Sequence, residues 1–206
     1  MRWFLALAVC CMVGPLFGAV PAGEYNDVLS IGDKAPVWTN LPGIDGKQYS
    51  LADFKDKPIV VVIFTCNSCA CAVDYEDRIM AFTKEFGGPD GAVAVVAINV
   101  NTIPEDRMDK MQARAQERGF NFPYLYDASQ KIARDYGANY TPEFFVLDRD
   151  RKIAYMGAMD DRNKAADAKV NYLKNAVQAV LKGEKPAKAE TLGRGCKIRF
   201  EKKKRG

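Results

Sequence analysis

The sequence predicts an α/β fold in which a central mixed sheet carries helices on both faces. Two continuous apolar runs, IVVVIFT after Pro58 and AVAVVAINV at residues 92–100, are typical of strands buried on both faces. Amphipathic stretches alternate with these and later strand-like runs in the order β, α, β, α, β, α, β, β, α. This alternation indicates helical crossovers between parallel strands, and the two successive strands near the end add an antiparallel edge.

The first elements lead directly to a cysteine cluster. Asp45-Gly46 stands between two short apolar pieces and predicts a hairpin turn. The buried strand IVVVIFT then ends where the cysteines begin. Apolar residues recur every three to four positions from Ala70 to Phe86, which predicts a helix ended by Gly87.

The middle of the chain continues the alternation. Pro104 followed by two acidic residues predicts the first turn of a helix that runs to about Arg118 and ends at Gly119. The stretch FPYLYD predicts a short third strand. Asp127 or Ser129 is then expected to cap a short helix.

The last part of the domain is predicted to hold a hairpin and a helix. EFFVL and KIAYMG predict two strands joined by the polar turn DRDR, and residues 164–182 predict a final amphipathic helix. We therefore expect one domain over residues 23–182. Residues 183–206 are expected to form a linker and a basic tail that contains Cys196.

The N-terminus has the pattern of a secretory signal peptide over residues 1–22. Arg2 precedes an apolar run of 11 residues, too short to span a bilayer comfortably, and small residues favour cleavage after Ala22. The sequence thus predicts export to a periplasmic or extracellular location, with no stable membrane span after cleavage. An uncleaved N-terminal anchor is the alternative.

Composition excludes several classes of function. The 206 residues contain no histidine, which excludes histidine-assisted catalysis and histidine metal ligands. The net charge of +4 comes from the basic ending KIRFEKKKRG rather than from a basic face, so no nucleic-acid partner is expected.

The spacing of Cys66 and Cys69 indicates redox chemistry. At the start of a helix, unpaired N–H groups and the helix dipole favour a thiolate, so the pKa of Cys66 is expected to fall. Three residues on, about 300° around a helix, Cys69 shares its face and can bond with it. We expect Cys66 to be the exposed nucleophile and Cys69 to resolve a mixed disulfide.

Two further cysteines, Cys71 and Cys196, lie outside this C-x-x-C pair. Cys71 is five residues past Cys66, about 140° away on a helix, and is expected to pack as a small hydrophobe. Cys196 is either a free thiol or an accessory thiol that reaches the active site; the sequence leaves both readings open.

Thr141-Pro142 forms a second candidate constellation because it directly precedes the strand EFFVL. In a sheet of this order that strand lies beside the cysteine strand. A cis Thr141–Pro142 bond would turn the Thr141 backbone toward Cys66, where it could pair with a substrate peptide. The alternative is a proline that only begins a strand.

Several motifs resemble a known superfamily. IGDKAPVWTNLPGIDGKQYSLADF, CNSCACAVDYEDRI, VLDRDRKIAYMGAMDD and GRGCKIRF together resemble thioredoxin-like redoxins of the alkyl hydroperoxide reductase/thiol-specific antioxidant superfamily. The nearest resemblance is to peroxiredoxin-like proteins with a thioredoxin-type C-x-x-C. The resemblance implies a thioredoxin-like fold, with Cys66 as nucleophile, Cys69 as resolving cysteine and Thr141-Pro142 as the cis-Pro loop that binds substrate.

The departures from the superfamily pattern bear on activity. Ile59 and Ile63 stand where a peroxiredoxin has its Pro and its peroxide-orienting Thr, which argues against an efficient peroxidase. No buried acid is present in IVVVIF, and Asp74, Glu76 and Glu143 are expected to be solvated rather than to substitute for it.

Three functions remain from the sequence. The first is an exported thiol–disulfide oxidoreductase that acts on a disulfide- or thiol-containing protein with a thiol reductant and no cofactor. The second is a thiol peroxidase with peroxide as substrate, in which Cys69 or Cys196 condenses with a sulfenic acid at Cys66. The third is a structural module or a metal site of Cys66, Cys69, Cys71 and Cys196, although crowding of these cysteines favours no metal.

Overall fold

The computed structural model describes residues 23–202. The predicted signal segment, residues 1–22, lies outside this range, so its cleavage and the export of the chain stay predictions. Within the described range, no helix combines the length and the apolar character that crossing a bilayer requires.

Nine strands and four α-helices are found in the described residues. The strands are β1 Leu41–Pro42, β2 Gln48–Tyr49, β3 Ile59–Phe64, β4 Val93–Asn99, β5 Tyr124–Tyr126, β6 Tyr140–Thr141, β7 Glu143–Leu147, β8 Ile153–Gly157 and β9 Cys196–Lys197. The helices are α1 Ala70–Phe86, α2 Met108–Arg118, α3 Lys131–Asp135 and α4 Tyr172–Leu181.

The central sheet has five strands in the order β5-β4-β3-β7-β8. Strands β3, β4 and β5 are parallel, whereas β7 pairs antiparallel with both β3 and β8. Every residue of β3, β4 and β7 is buried, as their continuous apolar runs predict. The predicted mixed sheet with an antiparallel edge is confirmed.

Alternate residues of β3 divide the core into two layers. Val60, Val62 and Phe64 pack with α3 and the segment before β1 on one face. Ile59, Val61 and Ile63 pack with α1, α2 and α4 on the other face. Because side chains alternate across a strand, a single apolar run supplies both layers. The prediction of helices on both faces is confirmed.

The helix predicted from Pro104 is divided in the structure. Residues Pro104–Asp106 form a 3-10 turn, Arg107 is extended with ψ of 163°, and α2 begins at Met108. The acidic Asp106 is fully buried rather than exposed on a helix, because its carboxylate accepts hydrogen bonds from the cysteine loop. The predicted end at Gly119 is confirmed, with φ of 67° there.

The final helix starts later than predicted. Residue 164 is not its beginning, since α4 begins at Tyr172 and only a 3-10 turn, Ala165–Asp167, precedes it. The carboxylate of Asp161 accepts hydrogen bonds from the backbone N–H groups of Lys169 and Val170, which holds them outside a helix. Asn171 then caps α4 by accepting from the Lys174 N–H at 2.8 Å.

Part of the chain expected to be tail packs against the domain. Strand β9, Cys196–Lys197, pairs antiparallel with β6, Tyr140–Thr141. We name residues 189–201 the C-terminal strap. Its first residues pair with β8, where Met156 N–H donates to Ala189 O at 3.0 Å, and its Ile198 is buried in the core.

The N-cap of α4 yields a stability prediction. Asn171→Ala removes the side-chain acceptor for Lys174 N–H and should lower the free energy of unfolding by about 1 kcal/mol. Denaturant unfolding followed by circular dichroism measures this change. The matched control is Asn175→Ala, an exposed position inside the same helix, where the free energy should not fall. Equal losses in both variants would contradict the capping role.

Candidate active site

The cysteine site lies where β3 ends and α1 begins. Cys66 follows β3 after one residue, and Cys69 is the N-cap residue of α1. The antiparallel pairing of β3 with β7 sets Phe64 opposite Glu143, so the start of β7 lies beside the cysteines. The sheet therefore brings two distant parts of the sequence together at one edge.

Thr141 joins the two parts of this site. The peptide bond between Thr141 and Pro142 is cis, as predicted. The Cys66 thiol donates to Thr141 Oγ1 at 3.3 Å, and Cys69 Sγ lies 3.3 Å from the Thr141 carbonyl oxygen. Cys66, Cys69 and Thr141 thus lie together in the structure, and their catalytic and binding roles stay predictions.

The disulfide of the site joins Cys69 to Cys196. Their Cα atoms are 6.2 Å apart, and 127 residues separate them in sequence. Cys66 is a free thiol. Of the two alternatives for Cys196, the structure has the one in which this residue reaches the site rather than staying a free thiol. Cys69, the predicted resolving cysteine, is bonded to the strap and not to Cys66.

Cys71 is closer to this disulfide than expected. Its sulfur and those of Cys69 and Cys196 all lie within 4.8 Å of one another. The predicted separation of Cys66 and Cys71 around a helix does not apply. Helix α1 begins only at Ala70, and the residues before it are not helical. Cys66 is not a member of this group, so the four-cysteine metal set is not assembled.

The electrostatic expectation for Cys66 is wrong. The residue is only 3% exposed. Burial raises the pKa of the Cys66 thiol because a buried thiolate loses its hydration; the hydroxyls of Thr141 and Ser68 oppose this only in part. The helix begins four residues after Cys66, so Cys66 does not lie in the first turn, where the helix dipole favours a thiolate.

Asp106 is a site residue that sequence reasoning missed. Its buried carboxylate accepts hydrogen bonds from the backbone N–H groups of Asn67, at 2.7 Å, and Ser68, at 3.1 Å. Asn67 also accepts a hydrogen bond from the Tyr124 hydroxyl at 3.1 Å. These contacts hold the loop between the two cysteines. In sequence, Asp106 has the pattern of an ordinary first-turn acid, so no local signal identifies it.

Two of the three nearby acids are buried, contrary to expectation. Asp74 is exposed, as predicted. Glu76 is 5% exposed and pairs with Arg114 at 2.9 Å and Arg118 at 3.1 Å. Glu143 is 6% exposed and receives backbone N–H hydrogen bonds at one carboxylate oxygen, from Asn139 at 2.7 Å and Tyr140 at 2.9 Å.

Within residues 23–202, no Lys or Arg side chain pairs with the Glu143 carboxylate, which accepts only backbone hydrogen bonds. Burial raises the pKa of Glu143 to about 7, and the hydrogen bonds from Asn139 and Tyr140 oppose the increase. A buried carboxyl that titrates near neutrality therefore lies at the base of the loop that carries Thr141.

The strap covers the edge of Thr141. Thr141 is paired with Cys196, and Tyr140 with Lys197. At Gly195 an added Cβ would collide with the Thr141 carbonyl oxygen, so only glycine permits this close approach of the two backbones. The backbone that was expected to receive a substrate strand is paired with the chain's own C-terminal segment.

Comparison with known proteins identifies the family. Residues 30–174 match the Redoxin family. The chain belongs to the Redoxin family. The thioredoxin-like fold expected from the sequence is confirmed by the solved structures that it resembles.

Individual relatives cover most of the fold. A hypothetical protein from Sinorhizobium meliloti has a solved structure with 35% identity and a TM-score of 0.78, covering 85% of this chain and 97% of its own. Thiol-disulfide oxidoreductase ResA from Bacillus anthracis is 27% identical over 131 residues, 62% of this chain and 69% of that protein. A Mycobacterium tuberculosis protein with a peroxiredoxin name is 29% identical over 143 residues, 61% of this chain and 82% of that protein.

The buried thiol of this redoxin yields a prediction about alkylation. Because burial raises the pKa of Cys66 from its ordinary value of 9.0, little thiolate forms at neutral pH. The iodoacetamide rate at Cys66 should therefore keep rising beyond that value. Peptide mass spectrometry of the oxidised protein measures it, with the free Cys71 as an internal reference. A rate that levels off near neutral pH would contradict the raised pKa.

Glu143 yields a prediction about stability. A carboxyl whose pKa is raised on folding contributes stability below its unfolded pKa, 4.5, and this is lost as pH rises through about 7. Glu143→Gln, which does not titrate, should gain up to about 3 kcal/mol relative to the unmodified protein across that range.

The measurement is denaturant unfolding of both proteins at several pH values. The matched control is Glu184→Gln at an exposed position, which should follow the unmodified protein throughout. A constant difference between the Glu143→Gln variant and the unmodified protein at every pH would show that Glu143 titrates normally.

Proposed function

We propose that this chain is an exported thiol–disulfide oxidoreductase in which Cys66 is the nucleophile and Cys69 the resolving cysteine. Membership of the Redoxin family and similarity to thiol-disulfide oxidoreductase ResA support this function. The observation that carries the proposal is the shared contact of both sulfurs with Thr141, beside a cis proline.

The reaction begins from the protein with Cys69 and Cys196 reduced by a thiol reductant. The Cys66 thiolate attacks one sulfur of a substrate disulfide, forms a mixed disulfide and releases the other substrate sulfur as a thiolate. The Cys69 thiolate then attacks Cys66 Sγ, and the second substrate sulfur leaves. The substrate gains two electrons and two protons, and the protein retains a Cys66–Cys69 disulfide.

Thr141 supports substrate binding through its backbone. An extended substrate segment can pair with an exposed strand edge by main-chain hydrogen bonds. The two-residue strand β9 supports this role, because it pairs antiparallel with the same edge and carries a sulfur bonded to Cys69. A substrate strand would take the same edge once Cys196 and its neighbours lift from it.

Export is supported by the signal-like residues 1–22 and by the chemistry of the site. Disulfide exchange is natural in oxidising compartments, where a Cys69–Cys196 disulfide persists. The periplasm or the extracellular space is the proposed location.

A thiol peroxidase is the second candidate, favoured by the peroxiredoxin name of the mycobacterial relative. In that reaction Cys66 would attack peroxide, and Cys69 or Cys196 would condense with the sulfenic acid and release water. Ile59, Ile63 and the raised pKa of Cys66 oppose it. Stopped-flow peroxide consumption at the rate of an unactivated thiol would exclude this function.

The oxidoreductase proposal predicts the effect of a single substitution. Cys66→Ser should abolish the acceleration that the protein gives to dithiothreitol-driven reduction of insulin disulfides, because the nucleophile that forms the first mixed disulfide is lost. Turbidity of the released insulin chains measures the rate. Cys71→Ser is the matched control and should leave the rate unchanged. Undiminished activity of the Cys66→Ser variant would overturn the proposed mechanism.

A further inference from the structure

The two halves of the observed disulfide have different environments. Cys69 is 6% exposed and packs with Cys66 and Ala72. Cys196 is an exposed residue of the strap. An external thiol therefore meets the disulfide from the Cys196 side, whereas a disulfide between Cys66 and Cys69 would be formed by two buried residues.

The strap is held at the site by contacts that do not involve its cysteine. Before Cys196, the Thr191 N–H donates to Met156 O at 3.1 Å. After it, the Arg199 N–H donates to Asn101 Oδ1 at 3.2 Å and the Glu201 N–H to Gln130 Oε1 at 2.8 Å. Reduction of the disulfide does not break these flanking contacts, so Cys196 stays tethered near Cys69 at a high effective concentration even when it lifts from Thr141 to admit a substrate.

We propose that Cys196 is a third redox cysteine that takes the disulfide from the buried pair and presents it to an external dithiol reductant. The proposal rests on the proposed oxidoreductase function, since that reaction forms the Cys66–Cys69 disulfide. It makes the strap an internal substrate of the same site, paired with Thr141 as an external substrate strand would be.

The transfer to the strap is an internal exchange with no net change in electrons. The Cys196 thiolate attacks Cys69 Sγ, the Cys66–Cys69 bond breaks and the Cys69–Cys196 bond forms. Cys66 leaves as a thiolate and takes up the proton that Cys196 lost. The products are the disulfide and the free Cys66 thiol that the structure holds.

The dithiol reductant then restores the protein. One of its thiolates attacks Cys196 Sγ, and Cys69 leaves as a thiolate that takes up a proton. The second thiol of the reductant attacks its own sulfur in the mixed disulfide and releases Cys196. Two electrons pass to the protein, and the reductant leaves as a disulfide.

The test compares one turnover with many in Cys196→Ser, with Cys71→Ser as the matched control. Reduced full-length protein is mixed with insulin, quenched by acid and alkylation at successive times, and its disulfides are mapped by mass spectrometry. Steady-state insulin reduction with dithiothreitol is measured in parallel. Cys71 is the informative control because its sulfur is also within 4.8 Å of Cys69 and Cys196.

The expected result has two parts. In the unmodified protein the Cys66–Cys69 disulfide appears first and is replaced by Cys69–Cys196. In Cys196→Ser the first turnover keeps its full amplitude, the disulfide stays at Cys66–Cys69, and the steady-state rate falls at least about five-fold because the buried pair is slow to meet the reductant. Cys71→Ser behaves as the unmodified protein.

Other outcomes overturn the inference. A final Cys66–Cys69 disulfide in the unmodified protein, or an unchanged steady-state rate in Cys196→Ser, shows that Cys196 transfers nothing. The same loss in Cys71→Ser assigns the transfer to Cys71 instead. A full first turnover in Cys66→Ser overturns the proposed function itself, and that result is distinct from the failure of Cys196.

Discussion

The antiparallel pairing of β7 with β3 is the constraint on which the site depends. It sets Glu143 opposite Phe64, and thereby places Thr141 against the loop that follows β3. From this one position Thr141 contacts Cys66 through its hydroxyl, lies beside Cys69 through its carbonyl and pairs with Cys196 through its backbone. The sulfurs of the neighbouring Cys66 and Cys69 and of the distant Cys196 meet at one residue because the strand order brings it there.

Burial keeps the cysteine site of this structure in an unreactive state. The loop between the cysteines is held by Asp106, and the cis-proline loop by Glu143, both of them buried acids. The same burial raises the pKa of Cys66, so the closed site contains a protonated thiol rather than a reactive thiolate. Reactivity at Cys66 therefore requires that solvent reach the buried sulfur.

The fold was predictable where periodicity and turn residues agree. The runs that form β3 and β4, the helix Ala70–Phe86 and its end at Gly87 are as expected, because local propensity and tertiary burial favour the same structure there. The start of the last helix was not, because the side chain of Asp161 holds the backbone N–H groups of Lys169 and Val170 outside the helix. The periodicity of apolar residues, from which the helix was predicted, does not reveal such a side-chain contact.

The features of the site also divide into those that the sequence predicts and those that it does not. Cys66, Cys69 and the cis Thr141–Pro142 bond follow from spacing and from family resemblance. The burial of Cys66 and the role of Asp106 do not, since both depend on which surfaces the fold closes. Pairing of the strap with β6 was also beyond sequence reasoning, because a two-residue strand has no periodicity to detect.

The strap also explains how a distant cysteine can compete with a near one. Cys66 and Cys69 are three residues apart, whereas 127 residues separate Cys69 from Cys196. Loop-closure entropy alone would favour the shorter pair by about 3 kcal/mol in an unfolded chain. The folded strap offsets that difference through hydrogen bonds at Thr191, Arg199 and Glu201 and through the burial of Ile198. At about 1 kcal/mol net for a hydrogen bond, contacts of this number are sufficient. The position of the disulfide is therefore a property of the folded chain, and only a folded strap can carry the disulfide away from the buried pair.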